Sequence, residues 1–273
     1  MPVRMRLLRR SDSTGERTLV ADIMEATKGQ KRSFDDFSES TVTIRIGHEQ
    51  VPFYVHPSFL AAKSKYFKAM FAAAWMGAQT KMRSVPDDET EPDIFRRYCR
   101  WVYKDVVDIS LVDSSDVQDK TGGARFEILF KLYILADQLG DTILRNATVD
   151  RISDVEKATA YRPGHELIKL AYEKTAGNNM LCQFLVDDAL SGTEPEWLRS
   201  VYEELPTVFV KELSLGWAKA SWDKSVSYKR PQDVGKCTYH EHGDDAPKSE
   251  SCTEDELSKN SPVTPKTPLR RRR

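Results

Sequence analysis

The segment "CTYHEHGDDAPKSESC" gathers Cys237, His240, His242 and Cys252 into one short stretch. Two thiolates and two imidazoles have the number and softness of donors that a tetrahedral structural zinc takes. Two residues separate Cys237 from His240, which suits a tight ligand-bearing turn. His240 and His242 project alike if the chain between them is extended. All four positions are then filled by protein, so such an ion would staple the segment and not catalyse. The spacing fits no standard nucleic-acid finger, and no basic helix separates the ligands. The competing reading is a polar tail in which these residue types are simply scattered.

Other residues invite chemistry less strongly. His56 stands two positions before Ser58, yet no acid follows at a spacing that would orient a nucleophile pair. A histidine that hydrogen-bonds within the fold ahead of a helix is the simpler reading. Cys99 lies among Arg97 and Arg100, where positive charge could lower a thiol's pKa, but a structural cysteine is expected there and at Cys182. There is no glycine-lysine phosphate loop and no Gly-x-Ser-x-Gly elbow. No catalytic residues and no other cofactor are expected. Ser261, Thr264 and Thr267 each precede proline and read as phosphorylation sites. Arg270–Arg273 beside them reads as a nuclear address or a phosphate-binding patch, with a solubilising tail as its plain alternative.

These residues belong to a chain of 273 with a formal net charge of −1, so no global field recruits nucleic acid or an acidic membrane. A hydrophobic share of 40% beside a charged share of 30% fits a folded middle with polar ends. Four cysteines make no dense disulfide framework and favour a reducing compartment. No apolar run approaches the roughly 20 residues a spanning helix needs. The expectation is an intracellular protein of the nucleus or cytoplasm, with neither membrane nor direct nucleic acid as partner. The arginine-rich start lacks the apolar stretch of a secretory signal and reads as a disordered arm over 1–37, an organellar presequence being the alternative.

The elements that would position these groups begin at "TVTIRIG". There Val42, Ile44 and Ile46 alternate with polar residues, as in a half-buried strand. Residues 47–50 can turn the chain, and "VPFYV" returns to complete a hairpin. In "VHPSFLAAKSKYFKAMF", Phe59, Leu60, Tyr66, Phe67, Met70 and Phe71 recur at helical spacing. This predicts a helix start with Ser58 as an early cap, a break near Ser64, and a second helix. "KMRSVP" reads as another short strand. In "PDIFRRYCRWVYKD", Ile94, Phe95, Tyr98, Trp101 and Val102 share a face, Arg96, Arg97 and Arg100 point away, and Pro92 suits the first turn. A polar connection over 110–124 precedes "RFEILFKLYILADQLGDTIL", with a joint at Gly140 and Asp141. Further helices follow around 166–174, 180–190 and 206–222.

This order of elements resembles a BTB (POZ) domain. The residues that carry the likeness are "TVTIRIG", "VHPSFLAAKSKYFKAMF" (His56, Leu60, Ser64 and Phe67), "PDIFRRYCRWVY" and "LYILADQLGDTIL". The resemblance covers about 38–150, and the helices beyond it look like those of fungal BTB proteins, whose ends carry similar Cys and His patterns. It implies an α/β (α+β) fold: a small sheet with clustered helices over 38–150 and a helical extension over 151–222. Beyond Asp223 large apolar residues nearly vanish, which predicts a flexible tail over 223–273. The resemblance also implies a non-catalytic protein-binding module that self-associates as a homodimer. Recruitment of a cullin-type ubiquitin ligase scaffold is a further family role, but its hydrophobic-x-Glu pattern is incomplete. Trp75, Met76 and Gly77 stand there, without the glutamate. A nuclear regulator acting through partners is the other alternative.

Overall fold

The structure is a computed structural model that describes residues 40–75, 83–84, 89–111 and 120–242. Strands β1 (Val42–Ile46) and β2 (Val51–Val55) form the expected hairpin, with Val42 opposite Val55 and Ile46 opposite Val51. Gly47, at φ 71°, opens the turn, and its carbonyl accepts the Gln50 side-chain amide at 2.9 Å. Arg83–Ser84 forms β3, which joins β1 in parallel, so the sheet order is β2-β1-β3. Alternation puts Ile44, Ile46 and Val55 into the core and leaves Tyr54 exposed.

Helix α1 (Pro57–Lys63) and helix α2 (Lys65–Trp75) are separated by Ser64 in an extended conformation. Ser58 is not the cap. His56 holds that position and Pro57 opens the first turn, because a fixed φ with no N–H to satisfy suits a helix start. Helix α3 (Pro92–Lys104) buries the five apolar residues expected of it. Arg97 departs from expectation. It is buried, with Nε 2.8 Å from the Asp93 carboxylate and its two terminal nitrogens donating to the carbonyls of Asp108 and Ser110 at 2.9 Å. Its planar fork serves three acceptors at once, which explains how a charge on that face tolerates burial.

Helix α4 (Gly123–Leu139) ends at Gly140, whose φ of 67° favours glycine. A Cβ there would lie 3.1 Å from Lys65 Cβ, so α4 and α2 meet closely at this point. Asp141 caps helix α5 (Thr142–Thr159) by accepting the Leu144 N–H at 2.9 Å, and its other oxygen accepts the Trp101 indole N–H at 2.9 Å. Burial pushes the Asp141 carboxyl up to about 6 despite those two bonds. Helices α6 (His165–Lys174), α7 (Met180–Gly192), α8 (Pro195–Val201) and α9 (Thr207–Trp222) complete the extension.

Among the described residues two apolar cores result. One is built by the sheet, α1 to α3 and the α5 start, together with Leu132, Leu135, Ala136 and Leu139 of α4. The other is built by α5 to α9 with Phe126, Leu129, Phe130 and Tyr133 of the same helix. Helix α4 is apolar nearly all round because it is the wall between them.

Residues 231–242, part of the segment expected from its composition to be a flexible tail, are packed. Two 3-10 turns, Pro231–Asp233 and Lys236–Tyr239, lie against α5 and α7. Few large apolar residues are needed, because Tyr239 enters the second core, Val234 packs against it, and hydrogen bonds hold the Glu241 backbone.

Candidate functional site

The four motif residues of the BTB-like segment build the fold from within. Leu60 and Phe67 are fully buried, and Ser64 is nearly so. The Ser64 hydroxyl accepts the Phe67 N–H at 3.1 Å, capping α2. Tyr103 Oη lies 2.9 Å from both the backbone nitrogen and Nδ1 of His56, so His56 does hydrogen-bond within the fold ahead of its helix. Trp75 is the last residue of α2. Met76, Cys252, Ser261, Thr264, Thr267 and the arginines 270–273 lie outside the described residues. Burial pushes the Cys99 thiol up to about 12 against the pull of Arg96, so the surrounding arginines do not activate it. Cys182 is buried in α7, where desolvation also raises its pKa.

The C-terminal segment does assemble three of its four expected ligands. One donor atom each from Cys237, His240 and His242 lies within 4.8 Å of the others. The 3-10 turn Lys236–Tyr239 brings Cys237 round to the residue that follows it, as the short spacing requires. Cys237 and His240 are buried, and His242 is the most open of the three. The His240 and His242 rings sit with centroids 5.8 Å apart at 65°. Cys237 is disulfide-bonded in this structure, whereas Cys99 and Cys182 carry free thiols.

The body of the protein fixes this cluster from both sides. His240 Nε2 lies 3.0 Å from Asp150 Oδ1 on α5. The Asn146 side chain makes two bonds to the Glu241 backbone, donating to its carbonyl at 3.0 Å and accepting its N–H at 2.9 Å. Arg145 pairs with the Glu241 carboxylate at 2.6 Å and with Asp137 at 2.8 Å. Tyr239 packs edge-on to Phe184 and donates its hydroxyl to Asp187 at 3.1 Å. None of the α5 partners was foreseeable from the motif, since they lie some ninety residues earlier. A tyrosine placed between Cys237 and His240 was the one local sign that the segment docks.

A second concave region, of about 530 Å³, opens between α5, α7 and α8. Glu156 and Asp188 face it with Arg162, Arg230 and Trp197. Arg162 Nε lies 3.2 Å from the Asp188 carboxylate, while Glu156 Oε1 is buried without a hydrogen-bond partner. Burial, and then the neighbouring Asp188, raise the Glu156 pKa far above the usual carboxylate range. Burial also raises Asp188, against Arg162 and Arg230. Of the two carboxyls, Glu156 is shifted further toward its neutral, hydrogen-bond-donating form.

Residues 31–126 match the family model of the BTB/POZ domain. That span holds the sheet, α1 to α3 and the first turn of α4. The chain therefore carries a BTB/POZ domain, a protein–protein interaction module, followed by a helical region. No curated protein matches the sequence.

Proposed function

We propose that this protein is a non-catalytic interaction protein that self-associates through its BTB/POZ domain. The observation that carries the reading is the family match over residues 31–126, because the domain it identifies acts by binding other proteins. The fold supports it in one respect. The residues of the family pattern are spent on the interior, at Leu60, Ser64 and Phe67, which leaves the outer surface for partners. Tyr54 on β2 is 70% exposed and belongs to that surface.

Multi-angle light scattering of the full chain tests the proposal. The expected result at micromolar concentration is a mass of twice the chain's 31.2 kDa. A monomer that persists to the highest soluble concentration would overturn self-association and leave a module for different partners only.

A further inference from the structure

We infer that the cavity between α5, α7 and α8 binds a small organic cation, an ammonium or guanidinium group on an apolar body, and that Glu156 pairs with its charge. The volume of about 530 Å³ falls in the range of small-molecule sites. Every residue lining it comes after the BTB/POZ match, so the inference concerns the helical region and goes beyond partner binding by that domain.

Glu156 carries the inference. It sits in the last turn of α5, lines the cavity and is only 5% exposed, yet its Oε1 has no hydrogen-bond partner. Burying a polar group in that state costs free energy, which a donor entering the cavity would offset. The side-chain oxygen of Gln232, another lining residue, is also buried without a partner. Both atoms are oxygens that accept hydrogen bonds. The group they lack is one that brings N–H donors, and a carboxylate or phosphate brings none.

The charges around Glu156 decide which donor fits. Asp188 on α7 disfavours the ionised carboxyl, while Arg162, between α5 and α6, and Arg230, ahead of the 3-10 turn Pro231–Asp233, favour it. Glu194, ahead of α8, lines the same cavity. Neither arginine bonds to the free oxygen. Arg162 gives Nε to Asp188 at 3.2 Å and a terminal nitrogen to Ser191 at 3.1 Å. Arg230 is exposed, so water screens its charge. Tyr239, also near, gives its hydroxyl to Asp187. Burial and Asp188 together favour the protonated carboxyl, and that proton holds the place a cation can take. Binding is then an exchange, with the ligand's charge entering as the Glu156 proton leaves to solvent, and the total charge of the cavity is unchanged.

The rest of the lining suits an apolar body. Ile168 and Leu185 face the cavity, and Trp197 offers an indole that attracts a cation lying over its ring.

The test titrates the full chain with phenethylamine by calorimetry, beside two ligands of the same body, phenethyl alcohol and hydrocinnamate. One phenethylamine per chain is expected, with the alcohol weaker and the carboxylate weakest. Buffers of different ionisation enthalpy should reveal proton release on binding near pH ~7. Affinity for the amine should rise between about pH 6 and pH 8, by up to about tenfold per unit, because the empty site must first lose its proton. Burial raises Asp188 as well, so Glu156→Gln separates the two carboxyls. That variant should bind the amine roughly 10–100-fold more weakly and release no proton. Arg230→Ala should strengthen amine binding, because it removes an opposing charge.

Stronger binding of hydrocinnamate, lost in Arg230→Ala, would make the ligand an anion and overturn the inference. Equal binding of all three without proton release overturns it too, because the charge of Glu156 would then be idle. Binding of none at millimolar concentration means that the cavity holds only water. The proton count is read on the parent chain, so it decides the matter even where a variant misfolds.

Discussion

The Ser64 hydroxyl donates to the Leu139 carbonyl at 2.6 Å across 75 residues of sequence. The same oxygen accepts the Phe67 N–H, so one buried hydroxyl joins the break between α1 and α2 to the end of α4. Ser64→Ala leaves a buried carbonyl and a helix N-terminal N–H without partners. A loss of about 1–3 kcal/mol is expected by urea denaturation. A variant as stable as the parent would show that water replaces the hydroxyl.

Phe67 is fully buried, stacked on Phe71 at 5.9 Å and set edge-on to Tyr66 at 5.4 Å. Phe67→Ala removes a ring from a packed site, and a cost of about 3–5 kcal/mol is expected. Thermal melting of parent and variant reads it, and equal midpoints would exclude this packing.

Arg97 should behave as an interior residue. Arg97→Ala leaves the Asp108 and Ser110 carbonyls without their donor, and should cost about 1.5–3 kcal/mol. Arg97→Lys should restore only part, because an ammonium cannot reproduce the fork. Hydrogen exchange should rise locally over 105–111. Full rescue by lysine would mean that charge alone matters there.

Glu156 gives the protein a definite pH dependence. Its pKa in the folded chain lies well above the ordinary 4.5, so folding takes up a proton wherever the unfolded chain has lost it. Stability from this group is greatest below 4.5 and declines as pH rises above it. Asp188, Arg162 and Arg230 share the environment, so the slope is at most about 1.4 kcal/mol per pH unit. Glu156→Gln cannot lose a proton and should gain on the parent steadily as pH rises. Denaturation curves from about pH 5 to pH 8 measure the difference. A difference that stays constant across that range would place an ionised carboxylate in the fold.

Most of the hairpin and helix pair was legible because period and burial agree. Ile44 and Ile46 are buried in a run that alternates, and Leu60 and Phe67 are buried at helical spacing. Arg97 was misread because spacing puts a charge on a helix face but says nothing of the carbonyls that later chain brings to it. Residues 231–242 depart from the composition-based expectation for a related reason. Composition measures apolar content, whereas that segment is held by Tyr239 and by Asn146, Arg145 and Asp150 of α5. The Cys and His pattern was visible from its residue types. Its supporting carboxylate was not, since nothing local encodes a contact 90 residues away.

Helix α4 packs Leu132, Leu135, Ala136 and Leu139 on one core and Phe126, Leu129, Phe130 and Tyr133 on the other. The family match stops at residue 126, where this helix has barely begun. A fragment cut there would lack four side chains of its own interior. One cut at the end of the helix would present four more to water, a sticky face prone to aggregation. Because neither half can open without stripping the shared helix, the two should lose structure together, in a single melting transition.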